Sequence, residues 1–405
     1  MAVRIDNVRL IDPAAGHDAV TSVILENGRM MIGGSGVAAA EIIDGSGLWL
    51  TPGFVDLCAR LREPGAKMHG GAASETRAAR AGGFLHLVVP PDTQPVLDSG
   101  ALVTQLCERA DAAGYAKVYP VGALTKGLEG KALSNMNRLR LAGAVAVGNA
   151  RAPFASVETA LHCLEYAATL GLTVFFSPEE PSLAKGCAHD GFTAARMGLP
   201  GIPDTAETIA LATQLLLVEQ TGVKAHFGQL SCRGSVELIR IAKEKGIPVT
   251  ADVAMHHLHL TDAAIDGFNS FAHVRPPLRS NEDRAALREG VKTGVIDAIC
   301  SDHQPLDASA KLAPFPATEP GMSTLETVLP LGLQLVREGV LSESQLIAAL
   351  TCKPGDVLGI ERNTGWLLID PLVSWTVSGE TLLSTGKNTP WLGQTLQGLV
   401  RRVFN

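Results

Sequence analysis

Residues 52–65 read PGFVDLCARLREPG, in which the six-residue apolar run GFVDLC is followed at once by charged side chains. A run this short and this apolar is typical of a β-strand that is buried on both faces. The charged residues then lie at the carboxyl end of the strand. If similar runs recur along the chain with helical sequence between them, the fold is a barrel of parallel strands.

Seven more runs of this kind follow, and sequence with helical signals separates them. They are GFLHLVV (83–89), AKVYPV (116–121), GAVAVGN (143–149), LTVFFS (172–177), VKAHFGQLS (223–231), IPVTADV (247–253) and VIDAICSD (295–302). One helix between them is predicted to start at Asp204 or Thr205 and to close at Gly222, and another closes at Gly246. Eight strands that alternate with helices predict an α/β fold, a (β/α)8 TIM barrel.

Both ends of the chain show the alternation of apolar and polar residues that is typical of half-buried strands. In the first 50 residues, Asn27-Gly28 is a hairpin signal, and Gly33–Gly36 is predicted to end a hairpin rather than to bind phosphate. The tail returns to the same pattern. We therefore predict a small β-sandwich domain from residues 1–51 and 359–405, and a barrel domain from residues 52–358.

The composition limits the classes of partner. The 405 residues contain 34 Lys and Arg against 41 Asp and Glu, which gives a formal net charge of −7. This balance provides no basic surface for nucleic acid, and the sequence has no apolar run long enough for a membrane span. The seven cysteines form no C-x-x-C pair, which is typical of reduced thiols. We expect a cytoplasmic protein without nucleic-acid or membrane partners.

A set of motifs resembles the dihydroorotase family, in its long class that is associated with aspartate carbamoyltransferase. The motifs, in the family's order, are LREPG (61–65), GGFLHLVVPPDT (82–93), MGLPGIPDTAE (197–207), RPPLRS (275–280), SDHQP (301–305) and NTPWLG (388–393). The resemblance runs almost from end to end and implies an amidohydrolase-type barrel with a small β-sandwich. In that family, a zinc centre at the strand ends supplies the water that attacks a cyclic amide.

The resemblance places most of the six zinc-ligand positions on residues that are not zinc ligands. The family's first-strand His-x-His, fourth-strand Asp, fifth-strand His and sixth-strand His fall on Cys58 and Arg60, Asn149, Ser177 and Gln229. The eighth-strand Asp, the family's general base, is retained as Asp302, and His303 follows it. Because catalytic zinc needs about three protein ligands, we predict no zinc and no other cofactor. Asp302 and His303 are then vestigial positions.

Arg60 places a permanent positive charge at a former ligand position. We hypothesise that Arg60 replaces the zinc electrostatically and pairs with Asp302, which would otherwise be a buried carboxylate without a partner. On the substrate side, Arg62 is retained as a vestigial binding residue. Asp92 and Arg275 stand where the family has Asn, and the Asp92 carboxylate is expected to repel the anions that the family binds.

Two further arrangements of reactive residues at the mouth compete with this interpretation. Cys58, Cys300, Asp302 and His226 could form a rebuilt metal site. However, period-2 alternation places Cys300 in the packed layer beneath the mouth, where a buried thiol serves as a small apolar side chain. A nucleophilic Cys58 needs a base, and His303 is the obvious candidate, although its place next to Asp302 does not establish contact.

Two more groups have structural explanations that we favour. The run HHLH at residues 256–259 looks like a ligand cluster, but it matches a family segment outside the zinc centre. Glu179 and Glu180 could form an acid pair, but a solvated loop after the fifth barrel strand is the simpler interpretation.

We therefore expect a relative of dihydroorotase that is not an enzyme. Its partner, by resemblance, is the catalytic chain of aspartate carbamoyltransferase, with which it assembles in pyrimidine biosynthesis. Two alternatives stay open. One is an enzyme with altered, metal-free chemistry in the same barrel mouth, and the other is a small-anion sensor in which Arg62 holds the ligand.

Overall fold

A computed structural model describes residues 2–33, 39–65, 70–360 and 365–405. The strands, in chain order, are β1 (Val3–Asp12), β2 (His17–Glu26), β3 (Arg29–Ile32), β4 (Glu41–Asp44), β5 (Trp49–Pro52), β6 (Phe54–Asp56), β7 (Phe84–Val89), β8 (Lys117–Ala123), β9 (Ala146–Gly148), β10 (Thr173–Phe176), β11 (Ala188–His189), β12 (Gly201–Ile202), β13 (Ala225–Phe227), β14 (Val249–Ala254), β15 (Ala298–Cys300), β16 (Trp366–Thr376) and β17 (Thr395–Phe404).

The α-helices lie mainly between the parallel strands. They are α1 (Ala72–Ala81), α2 (Gly100–Ala113), α3 (Met136–Leu141), α4 (Val157–Thr169), α5 (Phe192–Met197), α6 (Thr205–Thr221), α7 (Arg233–Glu244), α8 (Asn281–Thr293), α9 (Val328–Arg337), α10 (Glu343–Leu350) and α11 (Cys352–Leu358). The α6 helix begins after Asp204 and ends at Gly222, which adopts the left-handed conformation with φ 65°. Both ends agree with the sequence prediction.

Eight strands form one parallel sheet in the order β15-β14-β13-β10-β9-β8-β7-β6. A bridge between Ala59 and His303 connects the segments that follow β6 and β15, so that the first and last strands meet. Each of the eight apolar runs supplies one of these strands. The predicted (β/α)8 barrel is therefore confirmed.

The barrel interior is filled by small and medium-sized side chains. The buried members of this cluster are Leu57, Cys58, Val88, Val121, Ala146, Ala254, Ala298 and Cys300. The interior is packed with side chains and leaves no open channel, and in barrels of this type functional sites lie beyond the carboxyl ends of the strands. The carboxyl ends of the strands are therefore where a functional site is expected.

The two ends of the chain share a second sheet, in the order β17-β16-β5-β1-β2-β3, with β4 paired to β1. The C-terminal strand β16 joins the N-terminal part by antiparallel pairing, for example of Leu368 with Leu50. The β2–β3 hairpin turns at Asn27 and Gly28, whose φ angles of 49° and 74° are those of the predicted turn.

The remaining expectations about organisation have mixed outcomes. The β-structure that was predicted from the two ends of the chain is present as the second sheet. The predicted boundaries, residues 1–51 with 359–405 for the terminal domain and residues 52–358 for the barrel domain, stay a prediction. The Gly33–Gly36 segment lies, apart from Gly33, outside the described residues. Among the helices that the structure describes, none is long and apolar enough to cross a membrane.

Candidate functional site

The candidate residues lie just beyond the carboxyl ends of five barrel strands. Cys58 and Arg60 follow β6, Asn149 follows β9, Ser177 follows β10, Gln229 follows β13 and Asp302 follows β15. They form the rim that we call the barrel mouth.

The backbone is unusual at several of these positions. Arg62, Ala150, Gln229 and Asp302 have φ angles of 61°, 48°, 53° and 45°. Residues other than glycine adopt this left-handed region only at a cost in free energy, and such strain accumulates at functional sites. The mouth thus has the strained backbone of a functional site, whatever side chains it presents.

The guanidinium of Arg60 binds the carboxylates on either side of it. Its Nη1 lies 3.1 Å from Oδ1 of Asp302, and its Nε donates to Oδ2 of Asp92 at 3.0 Å. The Cys58 sulfur lies 3.6 Å from Oδ1 of Asp302 and 3.7 Å from Nη1 of Arg60. The Arg60–Asp302 ion pair predicted from the sequence is confirmed.

The charges at the mouth stabilise each other. Burial disfavours the charged form of Arg60, but the neighbouring Asp92 and Asp302 carboxylates outweigh it and raise the pKa of the guanidinium. Burial raises the pKa of the Cys58 thiol well above its usual value, so the thiol stays protonated. Asp92 pairs with Arg60, but Arg60 also pairs with Asp302, and its single positive charge does not balance both carboxylates. The expected repulsion of anions by Asp92 therefore stays a prediction.

Three candidate positions across the mouth use their polar atoms on other protein groups. Asn149 accepts a hydrogen bond from Oγ1 of Thr125 at 2.8 Å and donates to the carbonyl of Ala152 at 3.0 Å. The Ser177 hydroxyl donates to Oε1 of Gln229 at 3.2 Å. These amide and hydroxyl groups hold the strand ends together.

A separate polar layer lies beneath the mouth. His226 contacts Oδ2 of Asp252 at 2.9 Å and the hydroxyl of Thr250 at 2.9 Å, and the Cys300 thiol contacts Oδ1 of Asp252 at 3.2 Å. Cys58, in contrast, contacts Asp302. The residues of a rebuilt metal site are therefore divided between two layers, and Cys300 is buried in the lower one, as predicted.

His303 is engaged away from the mouth. Its Nδ1 accepts a hydrogen bond from the Thr324 amide at 3.0 Å, so Nε2 carries the proton and donates to Oε2 of Glu75 at 2.9 Å. Burial raises the pKa of Glu75, but the hydrogen bonds from His303 and Ser384 outweigh it and lower the pKa to about 2. His303 is thus not positioned as a base for Cys58.

The remaining polar candidates have structural roles. His256 and His257 are buried, and burial lowers the pKa of His256 to about 3, so it is neutral at physiological pH. Glu179 does not pair with Glu180 but forms two hydrogen bonds with Arg275, at 2.7 and 2.6 Å. Arg275 therefore belongs to an ion pair on the mouth rim.

The residues at the mouth do not fit a zinc ion. The six positions present a protonated thiol, a guanidinium, two amides, a hydroxyl and a single carboxylate. A guanidinium has no lone pair to offer a metal and repels a divalent cation. Across residues 2–33, 39–65, 70–360 and 365–405, no three His, Cys, Asp or Glu side chains are grouped as metal ligands would be.

Arg62 lies beside a cavity of about 230 Å³ that Arg60, Asp92 and Glu319 also line. Its Nε donates to the carbonyl of Pro305 at 2.9 Å, whereas its buried Nη2 has no hydrogen-bond partner among the described residues. Burial and the nearby Arg60 charge lower the pKa of Arg62. Arg62 thus places a cationic side chain on the cavity wall, with its Nη2 atom buried in that wall.

Sequence reasoning did not identify several residues that hold the mouth in place. Asp56 accepts hydrogen bonds from the Ser301 amide at 2.8 Å and from the Ser301 hydroxyl, which joins the first strand to the last. Glu75 and Asn388 connect the loop after β15 to helix α1 and to the C-terminal segment. Their contacts lie far apart in sequence, and no local pattern indicates them.

Comparison with known proteins agrees with this architecture. Residues 47–235 match the family model described as "Dihydro-orotase-like". A "Dihydroorotase-like protein" of Pseudomonas aeruginosa is 48% identical over 412 residues, which covers 99% of this chain and 97% of that protein. A protein named "Dihydroorotase" from Trichlorobacter lovleyi is 40% identical and covers 98% of this chain and 96% of its own length.

Solved structures show the same fold. The L-hydantoinase (dihydropyrimidinase) from Arthrobacter aurescens superposes with a TM-score of 0.87 at 22% identity, covering 98% of this chain and 93% of that one. The dihydropyrimidinase from Brevibacillus agri gives a TM-score of 0.82 at 21% identity, over 100% of this chain and 94% of that one.

These relatives require one correction and permit one conclusion. The expectation that the chain is not an enzyme is contradicted, because relatives about 40% identical over nearly the whole chain carry the name of an enzyme, dihydroorotase. Substituted ligand positions alone do not decide whether a chain turns over a substrate, since function depends on the site as a whole. The chain belongs to the dihydroorotase-like family of amidohydrolases.

Proposed function

We propose that this chain acts in pyrimidine biosynthesis as an assembly partner of the catalytic chain of aspartate carbamoyltransferase, and that its barrel mouth works without a zinc centre. The observation that carries the second part is the position of Arg60, whose guanidinium binds Asp302 and Asp92. Any reaction that the chain catalyses at this mouth would then proceed without zinc.

Electrostatics supports a mouth without zinc. Catalytic zinc is held by about three protein ligands, each of which donates a lone pair from an imidazole, a thiolate or a carboxylate. Here the Asp302 carboxylate already pairs with Arg60 at 3.1 Å. A divalent ion entering beside Arg60 would have to displace the guanidinium and would meet amide and hydroxyl groups that are already hydrogen-bonded. The displacement of the guanidinium and the loss of these hydrogen bonds both disfavour zinc binding.

Preservation of the whole fold supports the assembly role. The barrel and the terminal sheet are both complete in the described residues, and the family relatives match almost the full length of the chain. The C-terminal segment stays attached to the barrel, since Asn388 accepts a hydrogen bond from the Leu306 amide and donates one to the carbonyl of Gly321. A chain that serves an assembly needs this outer framework independently of the chemistry at the mouth.

The assembly role is tested by size-exclusion chromatography with light scattering. The chain and the aspartate carbamoyltransferase of the same organism are mixed at micromolar concentration, with zinc in one arm and EDTA in the other. We expect one peak with the summed mass of a mixed complex in both arms. Two separate peaks in both arms would overturn the assembly role, and a complex that needs zinc would overturn the zinc-free mouth.

A second function is favoured by the cationic Arg62 side chain on the wall of the mouth cavity. Arg62 Nη2 lies buried without a partner beside the cavity of about 230 Å³, and a guanidinium binds carboxylates well. We propose that the cavity holds a small carboxylate, as expected for an anion sensor. Calorimetry with carbamoyl-aspartate should show binding that Arg62→Gln abolishes and the exposed control Arg140→Gln retains. If both variants bind carbamoyl-aspartate equally well, Arg62 does not form a binding site for it.

A further inference from the structure

A second cavity lies beside the barrel mouth, between the helices α4 and α6. Its volume is about 340 Å³, which falls within the range of roughly 300 to 1,000 Å³ that small-molecule sites occupy. Its walls are the loop after β9, the first turn of α4, the loop after β10 and helix α6. Asn149 and Ser177 of the mouth rim also line it, but none of the described residues around it lines the cavity beside Arg62. This α4–α6 cavity is therefore a separate place for a ligand.

One part of the wall of the α4–α6 cavity is apolar. Phe176 and Leu217 are buried in it, and Phe154 is half-buried. The Phe176 ring stacks on Phe227 of the next barrel strand, with 5.2 Å between the ring centroids, so it is held in place. An apolar wall in a concave site favours a ligand that removes apolar surface from water there.

The loop between β9 and α4 supplies a positive charge. Nη2 of Arg151 donates to the carbonyl of Arg275 at 2.8 Å. Whereas Arg275 binds Glu179, Arg151 has no carboxylate partner among the described residues. Ser156, the N-cap of α4, lines the same wall, and a helix N-terminus carries a partial positive charge. This end of the cavity therefore favours a carboxylate.

The loop after β10 supplies a negative charge. The Glu180 amide donates to the carbonyl of Ala206 at 2.7 Å, which holds Glu180 against α6. Its Oε1 accepts hydrogen bonds from the amide and the hydroxyl of Ser182, at 3.1 and 2.6 Å. These bonds lower the pKa of the carboxyl, so Glu180 is ionised at physiological pH. Its Oε2 has no partner among the described residues, and this end favours an ammonium.

Arg275 connects the two charged ends of the cavity. Its carbonyl accepts the hydrogen bond from Arg151, and its guanidinium binds Glu179, the residue before Glu180. A ligand with a single charge would be attracted at one end and repelled at the other. A ligand that carries both charges meets its complement at each end.

We propose that the α4–α6 cavity binds a free α-amino acid with an apolar side chain. The carboxylate lies toward Arg151 and the N-terminus of α4, the ammonium lies toward Glu180, and the side chain packs against Phe154, Phe176 and Leu217. Because a peptide bond removes one of the two charges, the site selects free amino acids against the same residues inside a peptide.

Three probes that share one ring test the charges of the ligand. L-phenylalanine carries both, phenylpropionate lacks the ammonium, and phenethylamine lacks the carboxylate. Ligand-observed NMR with the full chain measures their binding. For a ligand of about twelve non-hydrogen atoms we expect a dissociation constant of roughly 0.1 to 1 mM. Each singly charged probe should bind at least about 10-fold more weakly, because it loses one charge-assisted contact.

Two variants place each charge at its end of the cavity. Glu180→Gln should abolish the preference for L-phenylalanine over phenylpropionate and retain that over phenethylamine, whereas Arg151→Gln should do the reverse. Arg140→Gln, an exposed change on α3, should retain both preferences. Each comparison is made within one variant, so unfolding, which would abolish all binding, is distinguished from the loss of one preference.

The separation from the mouth is tested by competition. Saturating carbamoyl-aspartate, the probe for the Arg62 cavity, should leave the affinity for L-phenylalanine unchanged, and its displacement would overturn a separate site. The absence of L-phenylalanine binding up to about 10 mM, a limit well above the expected constant, overturns the proposal. So do equal affinities for the three probes in the parent chain, or preferences that neither variant changes.

Discussion

The barrel mouth and the polar layer beneath it bind carboxylates in different ways. In the lower layer, Asp252 pairs with His226, and both side chains are completely buried. The Glu75–His303 pair behind the last strand is equally buried. At the mouth, Asp302 and Asp92 share the guanidinium of Arg60, whose side chain is 14% exposed.

This difference shows where the chain still uses histidine. In the interior, the imidazoles of His226 and His303 are hydrogen-bonded to the buried carboxylates of Asp252 and Glu75. At the rim, where the family places metal-binding imidazoles, the positive charge comes from a guanidinium that cannot lose its proton at physiological pH. The mouth is therefore expected to depend on charge pairing, and the interior on hydrogen bonding. Three substitutions test this division.

The largest effect is expected from Arg60→Met, which leaves Asp302 and Asp92 without their cation. Removal of one partner from a buried ion pair costs about 3 to 5 kcal/mol of unfolding free energy, because the remaining charge stays buried and unpaired. Urea denaturation at pH 7 measures the loss.

The double variant Arg60→Met/Asp302→Asn is the control for this result. It removes the unpaired carboxylate as well and should recover much of the lost stability. An exposed salt bridge contributes about 1 kcal/mol or less. If the single variant loses less unfolding free energy than this, Arg60 does not compensate the carboxylate charges at the mouth.

The next effect concerns Asp56, which joins the first and last strands. Burial raises the pKa of this carboxyl to about 7 from a usual value of 3.8. The folded state therefore holds a proton that the unfolded state releases. The contribution of this group to stability is complete below about pH 4 and is lost as the pH rises through about 7.

Asp56→Asn removes this pH dependence. Between pH 5 and pH 8 the parent chain should lose about 3 kcal/mol of stability from this group, and the variant should not. Urea unfolding at four pH values gives the two slopes, with the exposed Asp266→Asn as the control. Parallel slopes for parent and variant would contradict a protonated Asp56.

The smallest of the three effects is expected from Glu75→Gln. This side chain accepts hydrogen bonds from His303, Ser384 and the Thr385 amide. An amide turns one acceptor into a donor that faces other donors, which costs about 2 kcal/mol at pH 7.

The effect of Glu75→Gln has a definite pH range. The pKa of Glu75 is lowered to about 2 from a usual value of 4.5, so its contribution is present above about pH 4.5 and is lost as the pH falls toward 2. Melting curves of the two chains should converge over that range. If the two chains melt at the same temperature at neutral pH, the Glu75–His303 pair does not contribute to stability.

The sequence predicts the barrel because strand burial and helix ends are local properties. Each of the eight apolar runs became a barrel strand, and residue types typical of helix ends predicted the ends of α6 at Asp204 and Gly222, although the Asp204 side chain makes no capping hydrogen bond. The Arg60–Asp302 pair could also be predicted, since a buried carboxylate needs a cation and only one former ligand position carries one.

The other mouth contacts could not be predicted from local sequence. The contact of Asp92 with Arg60 at 3.0 Å was not expected, because no nearby residue in the sequence indicates that a side chain from another strand reaches Asp92. His303 was considered as a base for Cys58, whereas its partner Glu75 lies 228 positions away on α1. Such contacts depend on how the strands close into a barrel. The prediction that the chain is not an enzyme failed for another reason, since it inferred activity from ligand positions alone.

The zinc content of the purified chain tests the central claim most directly. The protein is incubated with excess zinc, freed of unbound metal by gel filtration and measured by plasma mass spectrometry. Cys58→His/Arg60→His, which returns two imidazoles to the first strand beside Asp302, serves as the comparison. The account predicts zinc well under one ion per chain in the parent and more in the variant. One or more tightly held zinc ions per parent chain would contradict it.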